Sequence, residues 1–490
     1  MERLLPRAGQ AAQLLKEARF VRVVSHYDCD GICSAAIMAT ALQRAGIPFH
    51  LTFVNQLTPQ KLQRLAADGS DVFLFLDIGS GYLAGILAAL PGRQIVVADH
   101  HQPDVREEER LCHFNPLVLG VEEEISGSGL SYVLANALSA GNTDLSWVAV
   151  VGAIGDAQMG SIGNDISLSS LNASILQAAL DNGSLVKKKG IRLFGRYSRP
   201  IHKAIEYCVD PHIPGVSGSE SASVQFLQDI GIELKKADGW RTLADLSEAE
   251  QQKLATHMIL ERIAAKTENP SWIFGDIFEI TGQSEYKDAN EFATIMNACG
   301  KLGVPHLGLA LCTSDADSAA RIKPLMDAYR REIGKGISFF EKDKTAMRET
   351  MAAYYVFAGA AISEHVIANV ASIANRSLYT AKPLFAFADA EDGLVKISAR
   401  LHEAGKNNGI NLKELVSEAA RPLGGDGGGH KAAAGAFIPK GKEELFMQAI
   451  ESKLKNLPHL NEQHSTVEHG RDPEKRGEVE GKGLVRYLSA

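Results

Sequence analysis

Short apolar runs recur through the N-terminal part of the chain, and each stops abruptly at an acidic or imidazole side chain. The run Val21 to Val24 is followed at once by His26, Asp28 and Asp30. Asp71-Val-Phe-Leu-Phe-Leu76 runs into Asp77, and Gln94-Ile-Val-Val-Ala98 runs into Asp99-His100-His101. Unbroken apolar runs of this length, bounded by turn residues, are expected of strands buried on both faces. Helical patterns over Gly31–Gly46, Pro59–Ala67 and Gly79–Leu90 separate them. The alternation is βαβαβ, which predicts an α/β fold with a parallel, doubly wound sheet.

In such a sheet the carboxyl ends of the strands lie along one edge, where ligands bind. Topology then gathers His26, Asp28, Asp30, Asp77, Asp99, His100 and His101 at one crevice. Two carboxylates as close as Asp28 and Asp30 repel by on the order of several kcal/mol at low dielectric unless a cation lies between them. Taken alone, Phe20–Gly31 (FVRVVSHYDCDG) also reads as a solvated Asp-rich turn. Two further strands that end in the same residue types favour a divalent metal. Asp156, which closes the apolar stretch Trp147–Gly155, suits a ligand better than a core position.

With 490 residues, about two to four domains are expected. A content of 45% hydrophobic and 22% charged residues is that of a globular protein. No apolar run reaches bilayer length and the first residues lack a signal-peptide core, so a cytoplasmic protein without membrane partners is expected. Six cysteines without a CxxC pair argue against structural zinc and against a disulfide framework. Cys29 and Cys33, beside the acidic turn, read as small buried hydrophobes. The net charge of −8 gives no support to a nonspecific nucleic-acid coat, although it leaves room for local basic grooves.

The pattern divides the chain into residues 1–175 (the α/β unit), 176–350 (a connecting or inserted α+β region with a long bridging helix over Ser314–Phe340), 351–456 (a second α/β unit) and 457–490 (a polar tail). The Ser126–Gly129 turn opens a helix, where it could serve as an N-cap or hold an anion. Between Leu185 and Lys203 the cations Lys187, Lys188, Lys189, Arg192, Arg196 and Arg199 occur without an acidic residue and with Phe194 and Tyr197 interleaved. That composition suits single-stranded nucleic acid, and equally a solvated basic face. Leu384–Ala390 and Leu394–Arg400, joined by Glu391-Asp392-Gly393, predict a hairpin. Five glycines in the six positions from Gly424 to Gly429, then His430 and Lys431, predict a loop that admits a phosphate to backbone N–H groups. In the tail, Leu484, Tyr487 and Leu488 share one side of a helical turn, a spacing similar to the peptides that dock on sliding clamps.

The set SHYDCDG (Ser25–Gly31), LFLD (Leu74–Asp77), VADHH (Val97–His101) and AIGD (Ala153–Asp156), with GGGHKAAAG (Gly427–Gly435) far downstream, resembles the DHH phosphoesterase superfamily with its DHHA1 domain. Within it, the chain looks most like the archaeal RecJ-like single-strand exonucleases, including the GINS-associated nuclease type. The resemblance implies a DHH catalytic domain, a DHHA1 substrate-binding domain and two manganese ions, with magnesium as the alternative. It assigns His26 and Asp28 to one ion, Asp30, His100 and Asp156 to the other, and Asp77 to both. Asp99 would orient a ligand, and His101 would contact the scissile phosphate or protonate the leaving group. Arg376, Lys396, Arg400, Gly428, Gly429, His430 and Lys431 would grip substrate phosphates, joined by Arg192 and Arg196 from the basic stretch.

The resulting expectation is a metal-dependent hydrolase of single-stranded DNA or RNA in replication or repair, threading a strand between its two domains and partnered by GINS or the sliding clamp. A phosphodiesterase for short oligonucleotides or cyclic dinucleotides is one alternative, against which the basic stretch and the large connecting region argue. A scaffold similar to eukaryotic Cdc45 is the other, and the complete ligand set argues against it.

Overall fold

The structure is a computed structural model that describes residues 1–455 except 105, 107, 157, 159–170, 209–210, 268, 283–285, 314–315, 378, 380–381, 403–408 and 430. The chain divides into two units, Met1–Met326 and Asp327–Ala490. In the first, α1 (Leu5–Glu17) leads into β1 (Val21–His26), α2 (Cys29–Arg44), β2 (Phe49–Val54), α3 (Pro59–Ala66), β3 (Val72–Leu76), α4 (Leu83–Ala89), β4 (Gln94–Ala98) and β5 (Leu111–Phe114). All five strands are parallel, in the order β2-β1-β3-β4-β5. The order reverses between β1 and β3, the position where a ligand crevice opens in a doubly wound sheet. Register places Ser25 against Leu76 there, so the next residues along are His26 and Asp77.

Side-chain alternation explains why helices cover both faces. Val24, Phe73, Phe75, Ile95 and Val97 pack on one side against Leu62, Leu65, Leu83 and Ile86 of α3 and α4. The other side meets α2 and the apolar helix α5 (Gly127–Leu138), against which α6 (Ser146–Gly155) also packs. Two strands escape sequence reading. In β2 apolar and polar residues alternate on a half-exposed edge, and β5 has only four residues. The helix expected over Gly79–Leu90 is a 3₁₀ turn at Ser80–Tyr82 followed by α4. The break lies at Tyr82, whose φ of −121° departs from helical geometry, while the Ser80 N–H at the start of the turn donates to the buried Asp99 carboxylate at 2.8 Å.

After α7 (Leu171–Asp181), the connecting region pairs β6 (Leu185–Ile191) antiparallel with a distant strand. Between the two lie α8 (Ile201–Glu206), α9 (Glu220–Asp229), the short hairpin β7 (Lys235–Lys236) and β8 (Gly239–Trp240), and α10 (Glu248–Ala264). The partner of β6 is β9 (Phe274–Ile280). Then come α11 (Ala289–Lys301), α12 (Pro305–Cys312) and the long α13 (Ala316–Lys342), close to the expected Ser314–Phe340.

The second unit is a mixed sheet of β10 (Met347–Glu349), β11 (Tyr354–Gly359), β12 (Leu384–Asp389), β13 (Leu394–Arg400), β14 (Asp426–Gly429) and β15 (Ala433–Pro439). Their order is β10-β11-β12-β13-β15-β14. Helix α14 (Ile367–Ser377) packs on β12 and β13, while α15 (Leu412–Ala420) and α16 (Glu443–Lys455) cover a core that includes Phe385, Phe387, Ile397 and Ile438. The β12–β13 hairpin forms as expected, with Asp392 and Gly393 at φ +55° and +72°. The glycine-rich stretch is not a free loop: Gly427, Gly428 and Gly429 pair with Ala436, Gly435 and Ala434 of β15. Close backbone approach requires glycine at two of its positions. A Cβ at Gly425 would stand 2.3 Å from the Phe437 carbonyl oxygen, and one at Gly429 would stand 2.6 Å from that of Ala433. The tail motif at Leu484, Tyr487 and Leu488 lies outside the described residues.

Candidate metal centre

The turn after β1 is built by its own carboxylates. Asp28 caps α2, accepting the Gly31 N–H at 3.1 Å, which leaves Asp30 in the first helical turn at 1% exposure. Only glycine fits at position 31, because a Cβ there would stand 2.2 Å from the His26 carbonyl oxygen. The Asp30 carboxylate accepts the N–H groups of Gly127 (2.6 Å) and Ser128 (3.0 Å) at the start of α5. A helix N-terminus favours negative charge there. The Ser/Gly turn is thus both of the things its sequence suggested. Ser126 caps the helix through the Gly129 N–H, and the anion held on the following N–H groups is the protein's own carboxylate.

Asp77 follows β3 in the left-handed region, φ +56°, a conformation costing about 1 kcal/mol that short polar side chains tolerate best. Its carboxylate faces two ways. Oδ2 is 3.5 Å from His26 Nδ1 and Oδ1 is 3.3 Å from His100 Nε2. His26 Nδ1 is also 3.1 Å from Asp28 Oδ1, while His100 Nε2 is 3.6 Å from Asp156 Oδ2 and 3.9 Å from Asp30 Oδ2. Two ligand groups result, His26-Asp28-Asp77 and Asp30-His100-Asp156, and Asp77 also groups with His100 and His101. The atoms within each group lie within 4.8 Å of one another. His26 Nδ1, Asp77 Oδ1 and His100 Nε2 are buried without a hydrogen-bond partner. Buried polar atoms are rarely left so, and three that converge on carboxylates fit cations.

Charge in the metal-free site is balanced by protons. Burial presses His26 and His100 toward neutrality, but Asp28 and Asp77 outweigh it at His26, raising it well above the ordinary value. Asp77, Asp30 and Asp156 do so at His100, raising it to about 10. Burial, with Asp77 and Asp156 beside it, pushes Asp30 well above the carboxylate range, and burial with Asp77 and Asp28 brings Asp156 up to about 6. Asp28 goes the other way: burial is outweighed by His26 and the Gly31 N–H, which hold it low. A cation replaces these protons as counter-charge.

Asp99 is 1% exposed and carries His101, accepting at Oδ1 from the ring Nδ1 at 2.7 Å and from the His101 N–H at 3.2 Å. Burial opposes the charge on both, yet the pair holds Asp99 below its usual range and lifts His101 to about 9. Ser80, Asn115 and His113 complete the support: Asn115 donates to Ser80 Oγ and to the His101 carbonyl, and Ser80 Oγ meets His113 Nε2 at 2.9 Å. None of the three stood out in the sequence. His113 and Asn115 are at the carboxyl end of β5 and would have been found had that strand been read.

The remaining expected site residues lie on or between other elements. The basic stretch is an ion-paired strand: Lys187 and Lys189 each lie 2.7 Å from the buried Asp276, and Lys188 bonds Glu279, all across to β9. Arg192 stacks on Trp272 at 4.3 Å and donates to the Asp276 carbonyl. Arg196 is 6% exposed and donates to the Ile191 carbonyl and Gln251. The acids that neutralise the stretch lie about ninety residues on, so a local reading sees only cations. In the second unit, the Arg400 guanidinium is spent on Ser372 Oγ and the carbonyls of Ala368, Ala399 and Ala434. Lys396 lies 5.4 Å over the Phe437 ring, and burial lowers its pKa against the pull of Glu364. Gly428 and Gly429 are in β14, Lys431 is exposed just before β15, and Arg376 is on α14. His430 lies outside the described residues.

Comparison with known proteins agrees with this layout. Residues 20–153 match the DHH family, N-terminal domain, residues 193–271 the DHH-CID domain, and residues 349–456 the DHHA1 domain. An uncharacterized protein of Methanocaldococcus jannaschii is 29% identical over 447 residues, 90% of this chain and 94% of that one. The single-stranded-DNA-specific exonuclease RecJ of Thermus thermophilus is 30% identical over 152 residues, 28% of this chain and 22% of RecJ. The matched segment thus spans under a quarter of that relative. The crystal structure of Thermus thermophilus RecJ in complex with Mn2+ has a TM-score of 0.57 at 20% identity, covering 93% of this chain and 55% of RecJ. CDC45 from Entamoeba histolytica has a TM-score of 0.59 at 12% identity, covering 92% and 97%. Both share the fold.

Proposed function

We infer, from a chain that carries the DHH, DHH-CID and DHHA1 domains of the DHH superfamily, that it hydrolyses phosphodiester bonds of single-stranded nucleic acid as a RecJ-like exonuclease with two manganese ions. The observation that carries this reading is Asp77, whose two oxygens face two separate ligand groups lined by orphaned ligand atoms. When bound, a pair of divalent cations supplies a nucleophile at neutral pH and stabilises charge on the attacking and leaving oxygens. Mixed carboxylate and imidazole donors suit manganese, with magnesium as the alternative.

The chain's own residues do the rest. His26, Asp28 and Asp77 would hold one ion; Asp30, His100 and Asp156 the other, with Asp30 fixed in place by two N–H groups. The side chain of His101 is 55% exposed and steered by Asp99 through Nδ1, which leaves its other nitrogen to contact the phosphate or give a proton to the leaving oxygen. The second unit would hold substrate phosphates through the β14–β15 corner and Lys431. The full ligand set favours hydrolysis over a scaffold like CDC45. A replisome partner, GINS or the sliding clamp, is part of the proposal and is assigned to the tail beyond residue 480.

End-labelled single strands of DNA and RNA, labelled at either end and incubated with manganese, test this. Mononucleotides released from one end of long strands support the reading. Cleavage confined to dinucleotides or cyclic substrates would replace it with the short-oligonucleotide alternative.

A further inference from the structure

We propose that Gln158 and Asn172 are the positioning pair of the second ligand group, fixing how Asp156 faces its ion; this rests on the two-ion reading above. Gln158 Nε2 donates to Asp156 Oδ2 at 2.9 Å, so its amide holds one carboxylate of the group. A ligand's outer hydrogen bonds orient it toward its ion. Asp156 needs such help. It ends α6, its side chain is 29% exposed, and helix packing alone does not hold it.

Gln158 is itself anchored. Its Oε1 accepts from Asn172 Nδ2 at 2.7 Å, and Asn172, 2% exposed, accepts the Ser126 N–H at 3.3 Å. Ser126 caps α5, and the next two N–H groups of that helix hold Asp30. A single run of hydrogen bonds therefore ties Asp30 and Asp156 to one helix start. His26 and Asp28 stand outside it. The pair should act on one ion only, and Asn172 should act only through Gln158.

The test uses the full-length protein, dialysed free of metal and titrated with Mn2+ by calorimetry and by loss of the free-ion paramagnetic resonance signal. Wild type should bind two ions. Gln158→Ala should keep one at unchanged affinity and weaken the other roughly 10–100-fold. Asn172→Ala should weaken the same ion less, and the double variant should bind like Gln158→Ala alone, because the two residues form one chain. Gln158 is half-exposed, so its variant should keep the metal-free thermal midpoint, and that midpoint is measured alongside. Equal weakening of both ions, additive losses in the double variant, or a Gln158→Ala protein that binds like wild type would overturn the inference. A wild type that binds fewer than two ions would overturn the two-ion reading itself, and this inference with it.

Discussion

Two glycines at helix-interior positions should respond to the same substitution with opposite signs. Gly9 of α1 has nothing within 4 Å of where a Cβ would stand, so Gly9→Ala removes only the backbone freedom that glycine retains when unfolded. That should stabilise the protein by about 0.5–1 kcal/mol. Gly152 of α6 would gain the same from helix propensity, but its Cβ would stand 2.1 Å from Ser128 Oγ and 2.6 Å from Asp30 Oδ1. Ordinary contact needs about 3.5 Å, so α5 or the Asp30 side chain must yield by about 1 Å. Overpacking of this kind costs roughly 1–3 kcal/mol, which exceeds the helix gain. The displaced group is a candidate ligand held by two N–H groups, so Gly152→Ala should also weaken manganese binding, whereas Gly9→Ala should not. Chemical denaturation of the metal-free proteins and Mn2+ titration read the two effects separately. A Gly152→Ala protein as stable as Gly9→Ala that binds manganese like wild type would refute the claim that α6 is pressed against the ligand turn.

Asp77→Ala should abolish hydrolysis more completely than His26→Ala, since it removes an oxygen from each ligand group; full rescue of both by excess manganese would count against the shared role. Because the metal-free His100 and His101 hold protons up to about pH 10 and 9, manganese binding should release protons in weakly buffered solution and weaken as pH falls. The sign for stability follows: raised imidazole pKa values help the metal-free fold fully below about pH 6.5 and lose that help as pH rises toward 10, so the metal-free protein should denature more easily at pH 10 than at pH 6.5. Arg196→Glu should destabilise the connecting region and reduce cleavage of dinucleotides and long strands alike, because the guanidinium is buried among its own carbonyl and amide partners; selective loss on long strands would restore a substrate role. Deleting residues 481–490 should leave hydrolysis unchanged while removing clamp binding in a pull-down, and a truncated protein that is inactive would show that the tail packs on its own chain.

What the sequence made legible, and what it hid, divides along physical lines. The candidate ligands at the ends of β1, β3 and β4 stood out because strands buried on both faces are unbroken apolar runs, and a polar residue ending one is conspicuous. Strand β2 alternates on an edge and β5 is too short, so neither stood out, and His113 and Asn115 went unnoticed with β5. Gln158 and Asn172 are ordinary polar residues whose role exists only as distances to Asp156 and to each other. The basic stretch read equally as a nucleic-acid groove or a solvated face, and its ion pairing was hidden because Asp276 and Glu279 belong to a strand far along the chain. The glycines of β14 looked like a loop because composition shows missing side chains, whereas the β15 backbone that Gly429 approaches is seen only in the fold.

The central claim is that two ligand groups sharing Asp77 hold the ions that carry out hydrolysis. The most direct test measures, on one dialysed sample, manganese stoichiometry together with turnover of a labelled single strand as the ion is titrated. The account predicts two ions per chain, no turnover in chelator, and activity that rises with occupancy of the weaker site. Hydrolysis that persists in chelator, or that is complete with one ion bound, would contradict it.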